Sequence, residues 1–196
     1  SQNPNENASR QGALAAAQAA ATRFRTVSED LATLGQGIGN QAAATVGQIN
    51  QLAQSIATYN AKINEGYAAG NGQAPNDLLD QRDVLLRELG KLVGITTSVQ
   101  GSSVNVYLSN GQPLVLDHLA SEMQIDTQDP HASSGIRLSL KVGGYATPLN
   151  RSDVAGGQLG ALLQFRETEL AQAQSELGRL AIAMVSAYNQ QQQFGI

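Results

Sequence analysis

The chain has no cysteine and no tryptophan, three phenylalanines, five tyrosines and two histidines in 196 residues. Without cysteine there are neither disulfides nor thiolate metal sites, and the redox compartment is left open. Aromatics make up only 4 % and much of the 41 % hydrophobic content is alanine. The core is therefore expected to be thin and aliphatic, suited to helix seams rather than to a thick globular centre. Positive charge is scarce as well: 12 Lys and Arg face 16 Asp and Glu, for a net charge of -4 and a pI near 5.1. That balance offers no basic stripe for nucleic acid or for anionic lipid. No apolar run approaches the roughly 18 residues of a membrane span, and no signal-peptide pattern opens the chain.

What the sequence does have is a heptad seam. Phe24, Ser28, Leu31, Gly35, Ile38, Ala42, Thr45, Ile49, Leu52, Ile56, Tyr59 and Ile63 recur in unbroken 4,3 spacing. This is the pattern of a long helix packed lengthwise on other helices. Gly35, Gly37 and Gly39 interrupt it, each at a cost of about 1 kcal/mol relative to Ala. A hairpin would have no need to keep the heptad phase across them, and the phase is kept. One helix is therefore expected from about Ala8 to Glu65, roughly 87 Å at 1.5 Å per residue.

The flanking segments follow from local chemistry. Residues 1–7 and 194–196 read as flexible ends, and GYAAGNGQAP (66–75) reads as a loop by its Gly and Pro content. Asn76 is placed to cap a second helix running to about Val93, with Asp77 favourable in its first turn and Asp83–Arg87 spaced for an i,i+4 ion pair. From Ile95 the period changes to two. ITTSV (95–99), VNVYL (104–108), PLVL (113–116), EMQI (122–125), IRLSL (136–140) and YATPL (145–149) read as short strands. Asn110-Gly111 and Gly143-Gly144 look like two-residue hairpin turns, and TQDPHASSG (127–135) like a surface loop. Past Gly156-Gly157 the heptad returns at Leu159, Leu163, Arg166, Leu170, Ala173, Leu177, Leu180, Met184 and Ala187.

The expected fold is α+β: an elongated bundle of heptad-patterned helices with a small, mostly antiparallel β subdomain inserted before the last helix. The helical bundle is discontinuous, 8–93 and 156–193, around a β subdomain at 94–155. The structural seam is expected at Phe24, Leu31, Ile38, Ile49, Leu52, Ile56 and Ile63, facing Leu163, Leu170, Leu177, Leu180 and Met184.

Reactive chemistry is hard to find. Gly35-x-Gly37-x-Gly39 has the wrong spacing for a dinucleotide fingerprint and no strand before it. Gly156-Gly157-x-x-Gly160 precedes a helix, where an anion is conceivable, but a boundary turn accounts for it better. His118 and His131, near Asp117 and Asp129, do not form a helical ligand pair and read as surface residues. The acids of NDLLDQRD, with Arg82 and Arg87, read as a solvated, ion-paired face, and no GxSxG elbow activates a serine. No catalytic, cofactor-binding or metal-binding residue is expected, hence no enzyme and no cofactor. Asn7-Ala8-Ser9 and Asn150-Arg151-Ser152 match the glycosylation triplet, a pattern too common by chance to carry weight.

Two blocks carry a resemblance. NDLLDQRDVLLRELGKLVGITTSVQ (76–100) followed by VNVYLSNGQPLVL (104–116) resembles the flagellar hook-associated protein 1 family, the first of the two hook–filament junction proteins of bacteria. GGQLGALLQFRETELAQAQSELGRLAIAMVSAYNQQQQFG (156–195) resembles that family's return helix, and residues 8–34 match it in style. The resemblance spans nearly the whole chain, excepting the β region between Asp117 and Asn150. It implies a structural protein of the extracellular flagellum, exported by the type III apparatus without a cleaved signal peptide. Such a protein assembles as a ring of copies between the hook protein and the second junction protein. It implies also that this chain is a central fragment lacking both terminal regions, monomeric by itself, with an export chaperone engaging a missing terminus. No catalytic residues transfer, because the family has none. The alternatives are another flagellar axial protein, which would carry different motifs after the first helices, and a secreted adhesin-like domain, which would need a ligand pocket or an exposed aromatic patch.

Overall fold

The computed structural model describes residues 4–69, 75–126 and 136–193 of the chain. Helix α1 (Pro4–Ala69) runs through Gly35, Gly37 and Gly39 without interruption. It begins earlier than the expected Ala8, with Pro4 in the first turn, where a missing N–H costs nothing. It also continues past Gly66, into the stretch read as loop. Gly66 is tight against the Pro75 ring, which lies 3.0 Å from where its Cβ would be. The remainder of that loop, and the loop at 127–135 with Asp129 and His131, lie outside the described residues.

Helix α2 (Asn76–Leu92) corrects the capping expectation. Asn76 is the first helical residue, not the cap. Pro75 holds the cap position, and its carbonyl accepts the Leu78 and Leu79 amides at 2.9 and 3.2 Å. The ion pair on this helix is Lys91–Glu88 at 2.6 Å, while Asp83 and Arg87 point to solvent.

The strands of the expected β subdomain form two sheets. Strands β1 (Ile95–Gln100), β2 (Ser103–Leu108), β3 (Pro113–Leu116) and β4 (Leu119–Ala120) pair in sequence order, all antiparallel. Strands β5 (Glu122–Asp126), β6 (Arg137–Val142) and β7 (Tyr145–Leu149) make the second antiparallel sheet. Gly143-Gly144 is the expected two-residue turn, with φ of +55° and +94° between the paired Val142 and Tyr145. Asn110-Gly111 is not. It lies inside the longer connection between Leu108 and Pro113, closed by Gly111 N donating to Leu108 O and Leu108 N donating to Gln112 O, both 2.9 Å.

A short 3-10 turn (Arg151–Val154) leads into α3 (Gly157–Phe165), and α4 (Ala171–Gln193) follows. Between α3 and α4 the chain takes a π-helical turn at Arg166–Leu170, where the heptad had suggested one regular helix.

Two compact units result, Ser1–Gly37 with Thr168–Ile196, and Ile38–Glu167. This division cuts across the helix and β segments, because the strands share one core with the middle of α1. Ala42, Val46, Ile49, Ala53, Ile56 and Ala57 of α1 join Leu89 and Val93 of α2, Val106 and Leu108 of β2, Met123 of β5, Leu140 of β6 and Leu159 of α3 in one buried cluster. The 3- to 4-residue spacing of these α1 residues keeps the stripe on one face.

Candidate functional site

The second unit, 38–167, holds a polar latch on that apolar stripe. Counting along α1 from Ile49 through Ala53 and Ile56, the next inward position is Asn60, which is fully buried. Its amide grips one backbone residue of β2 from both sides. Val104 N donates to Asn60 Oδ1 at 3.0 Å, and Asn60 Nδ2 donates to Val104 O at 2.9 Å. The same Nδ2 reaches Asp117 O at 2.6 Å, and Arg82 Nη1 donates to Oδ1 at 3.1 Å. Asn60 thus stands in for the neighbouring strand that β2 lacks at this point.

Ten residues earlier the arrangement recurs on the other sheet. Met123 N of β5 donates to Asn50 Oδ1 and Asn50 Nδ2 donates to Met123 O, both at 2.8 Å. Two asparagines on one helix therefore dock two sheets, each by capping a single residue's backbone pair. An edge residue left without such a partner would cost about 1–3 kcal/mol per buried group.

Arg82 completes the latch from α2. It is buried, contrary to the solvated face that the acidic run suggested. Its neighbours explain why: Leu78, Arg82, Leu85 and Leu89 fall on one helical stripe, which puts Arg82 inward although Asp80 and Asp83 on either side stay in water. Nη1 donates to Ser102 O at 2.7 Å as well as to Asn60, while Nε has no partner. Burial pulls the guanidinium pKa down, with Asp83 pulling it up. Arginine nonetheless stays protonated at any ordinary pH, so the charge is held by two acceptors and the nearby carboxylate.

The far side of the latch is the tight β3–β4 turn. Asp117 has φ of +53°, the left-handed conformation that Asp tolerates better than most residues. Its carboxylate accepts from Ser103 Oγ at 2.5 Å and lies 2.8 Å from His118 Nδ1, and its backbone N–H donates to Asn105 Oδ1 at 2.7 Å. Asn64 Nδ2 donates to Asp117 Oδ1 at 3.5 Å, tying this turn to α1 a second time, and Ser102 Oγ of the β1–β2 turn donates to Asn64 Oδ1. The hydrogen bonds from Ser103 and His118 hold the Asp117 carboxyl below the usual carboxylate range.

A depressed carboxylate pKa adds stability that is complete above the ordinary value of about 4 and fades as pH falls through the lower folded value. Wild type should therefore lose stability relative to Asp117→Asn only below about pH 4. Urea midpoints from pH 6 to pH 2.5 measure this. The effect should be modest, because the Asp117 side chain is half exposed and water screens it; a difference that is constant across the range would refute the assignment.

Close backbone crossing fixes the rest of this region. A Cβ on Gly157 would lie 2.5 Å from Leu92 C and Val93 N, and one on Gly160 3.0 Å from Val154 O. The space above this helix start is filled by protein backbone, so these glycines serve close packing and leave no cradle for an anion.

The expected seam residues distribute unevenly. Ile49, Ile56 and Ile63 are fully buried, Ile38, Leu163 and Leu170 nearly so, and Phe24, Leu31, Leu52 and Leu177 partly. Leu180 and Met184 are 59 % and 40 % exposed, and the inward position there is Ala181. The stripe shifts because a 3.6-residue helix drifts against a strict heptad by about 20° per repeat. Within the unit formed by 1–37 and 168–196, Phe24 and Leu177 line one apolar furrow.

Asn50 and Asn60 were not singled out in the sequence and Arg82 was read as part of a solvated face, although each polar side chain interrupts an apolar stripe. That interruption was the available signal. Among the described residues no cluster of His, Asp or Glu could hold a metal ion, and no helix is long and apolar enough to cross a membrane. A groove of about 1070 Å³ lies between α1 and strands β5–β6 and mixes apolar side chains with the Arg151–Glu167 pair, which is 3.4 Å apart. The latch can position and stiffen; the Ser103 hydroxyl and the His118 ring bond separate oxygens of the Asp117 carboxylate rather than each other.

Known proteins of the same build bear on what is positioned. The family model described as the helical domain of flagellar hook-associated protein FlgK matches residues 1–196. Flagellar hook-associated protein 1 of Salmonella typhimurium is 34 % identical over 192 residues, covering 96 % of this chain and 34 % of that protein. Its Escherichia coli counterpart is 32 % identical over 196 residues, covering 98 % and 36 %. The solved structure of the flagellar hook junction protein FlgK from Burkholderia pseudomallei superposes with a TM-score of 0.80 at 32 % identity, over 89 % of this chain and 31 % of that one. The chain thus spans about a third of the length of the relatives it matches.

Proposed function

The chain belongs to the family of the flagellar hook-associated protein FlgK helical domain, and from that premise we propose that it is a structural, non-catalytic part of the junction between hook and filament. The observation that carries the reading is the agreement in sequence and fold along the whole chain rather than at one motif. A second feature supports it. In the unit of 1–37 and 168–196, Leu14, Val27, Leu34, Leu180, Ile182 and Val185 are exposed although Phe24 and Leu177 already serve the furrow between the helical segments. So much apolar surface on two helices suits neighbours packed alongside.

In this reading the partners are other copies of the protein, the hook protein on one side and the second junction protein on the other. A chaperone engages a segment outside this chain during export, and the assembled protein is extracellular. The helical segments 8–93 and 156–193 supply the packing surface and the seam stiffness, with the β segment 94–155 turned outward. The isolated chain is monomeric.

Immunogold electron microscopy of intact flagella, with antibody raised against this chain, tests the proposal. Gold in one short band where hook meets filament is the expected result. Label along the whole filament would make the protein another axial subunit, and label away from flagella would favour the adhesin-like reading.

A further inference from the structure

The connection between β2 and β3 holds chemistry that neither the latch nor the junction reading uses. Asn110 and Gly111 stand exposed in it. Among the described residues, Asn110 is the one asparagine followed directly by glycine. Asn40, Asn50, Asn60 and Asn64, by contrast, lie within α1, where the helical ladder holds the following amide.

The surroundings of the Asn110 carboxamide favour its reaction on three counts. Gln112 N donates to Asn110 Oδ1 at 3.0 Å, which curls the side chain back over the Asn110–Gly111 peptide. The Nδ2 group has no hydrogen-bond partner among the described residues, so it is free to leave into water. Gly111 has no Cβ, and nothing lies within 4 Å of where one would sit, so nothing crowds its nitrogen from that side. One restraint opposes these: Gly111 N donates to Leu108 O at 2.9 Å, which keeps the proton of that nitrogen engaged.

We propose that Asn110 is a site of self-modification, its side chain closing on the Gly111 amide as a cyclic imide and reopening as an acid. The Gly111 nitrogen gives its proton to hydroxide and attacks Asn110 Cγ. A C–N bond forms, and the negative charge gathering on Oδ1 meets the Gln112 N–H already directed at it. The Cγ–Nδ2 bond then breaks, and ammonia leaves with a proton from water. Water adds to either imide carbonyl, and cleavage of that ring C–N bond gives aspartate or isoaspartate. One water enters and one ammonia departs, with no change of oxidation state. Closure requires the Gly111–Leu108 bond to open, so the rate follows local opening of this connection and not global unfolding. Aspartate keeps an acceptor for Gln112 N. Isoaspartate adds a backbone methylene between the two bonds that close the connection, and loosens them. The inference stands on this local chemistry and does not need the junction reading.

Incubation at mildly alkaline pH tests it, with tryptic mass mapping for the amide-to-acid exchange and enzymatic methylation to count isoaspartate. The folded chain is compared with the chain unfolded in urea, where only the local sequence governs the rate. Asn71-Gly72, the other such pair in the chain, falls on a different tryptic peptide, because Arg82, Arg87 and Lys91 intervene. The expected result is conversion at Asn110 about tenfold slower folded than unfolded, as a readily opened surface turn allows, with the four α1 asparagines intact. Suppression beyond about a thousandfold, the least that a requirement for global unfolding imposes, overturns the proposal. Conversion at the α1 asparagines as fast as at Asn110 overturns it too. Asn110→Ser keeps an acceptor for Gln112 N but has no carboxamide, and it should abolish both the mass change and the methylation of that peptide. Persistence of either would place the reaction at another residue.

Discussion

Asn60→Leu is expected to cost about 4 kcal/mol of unfolding free energy, from several buried polar groups left unpaired at once. Leucine is similar to asparagine in volume, so the loss is of pairing and not of packing. Four partners are stranded together: Val104 N, Val104 O, Asp117 O and the Arg82 guanidinium. Individual penalties of about 1–3 kcal/mol do not simply add when the groups share one site, which is why the expected total stays below their sum. Against a domain stability of about 5–15 kcal/mol it is a large fraction. Urea unfolding followed by far-ultraviolet circular dichroism measures it. A loss under about 1 kcal/mol would mean that water replaces Asn60, and the latch would then be ornamental.

Arg82 allows the effect to be divided. Arg82→Leu removes a buried charge together with its desolvation cost, so the single variant should lose less than Asn60→Leu. The double variant should lose clearly less than the sum of the two, because much of the Asn60→Leu penalty is a buried guanidinium deprived of an acceptor. Asn50 supplies the contrast. Its two bonds to Met123 have the same geometry, but the site is only partly buried, and water can rescue the edge of β5.

These residues also mark how far the sequence can be read. The six strands were legible from the period-two alternation of their sequences, although in the structure only β5 and β6 have one wet and one buried face, and β2 is buried on both. The two-residue strand Leu119–Ala120 is too short to have a period. The split into two sheets depends on Ser121, whose amide turns back to Leu114 O at 2.9 Å, a contact without local signature. The helix through Gly35–Gly39 was legible from the unbroken heptad. The π turn was not: Leu163 and Leu170 are seven apart whether or not the intervening turn is widened. Arg82 was read as solvated because charged runs usually are, and its burial depends on the carbonyl of Ser102, twenty residues away in sequence. The latch in general escaped notice because a lone Asn on an apolar stripe announces that something must pair with it, without saying what.

Gly94→Ala should be nearly as damaging, at about 3 kcal/mol, the upper range for forcing an extra methyl into a packed site. Gly94 ends the turn from α2 into β1, and the chain at Ala155 passes directly over it. An added Cβ would stand 2.0 Å from Ala155 O, 3.1 Å from Ala155 C and 3.3 Å from Ser109 Oγ. No rotamer relieves the clash, because the obstructing atom is backbone. Nor can Ala155 retreat alone, for it is followed by Gly156 and Gly157, and a Cβ at Gly157 would already meet Leu92 C at 2.5 Å. The two chain segments must separate, and with them the start of α3 must leave the end of α2. Hydrogen exchange should therefore quicken at the Val93 and Gly160 amides, which bond to Leu89 O at 3.1 Å and Gly156 O at 3.3 Å, before it changes near Asn50. Gly111→Ala is the control: its φ of +82° strains any side chain, but its Cβ site is empty. It should cost only the roughly 1–2 kcal/mol of a left-handed residue. If Gly94→Ala proves no worse than Gly111→Ala, the crossing is looser than 2.0 Å implies, and packing of α3 on α2 is not what secures the core below the latch.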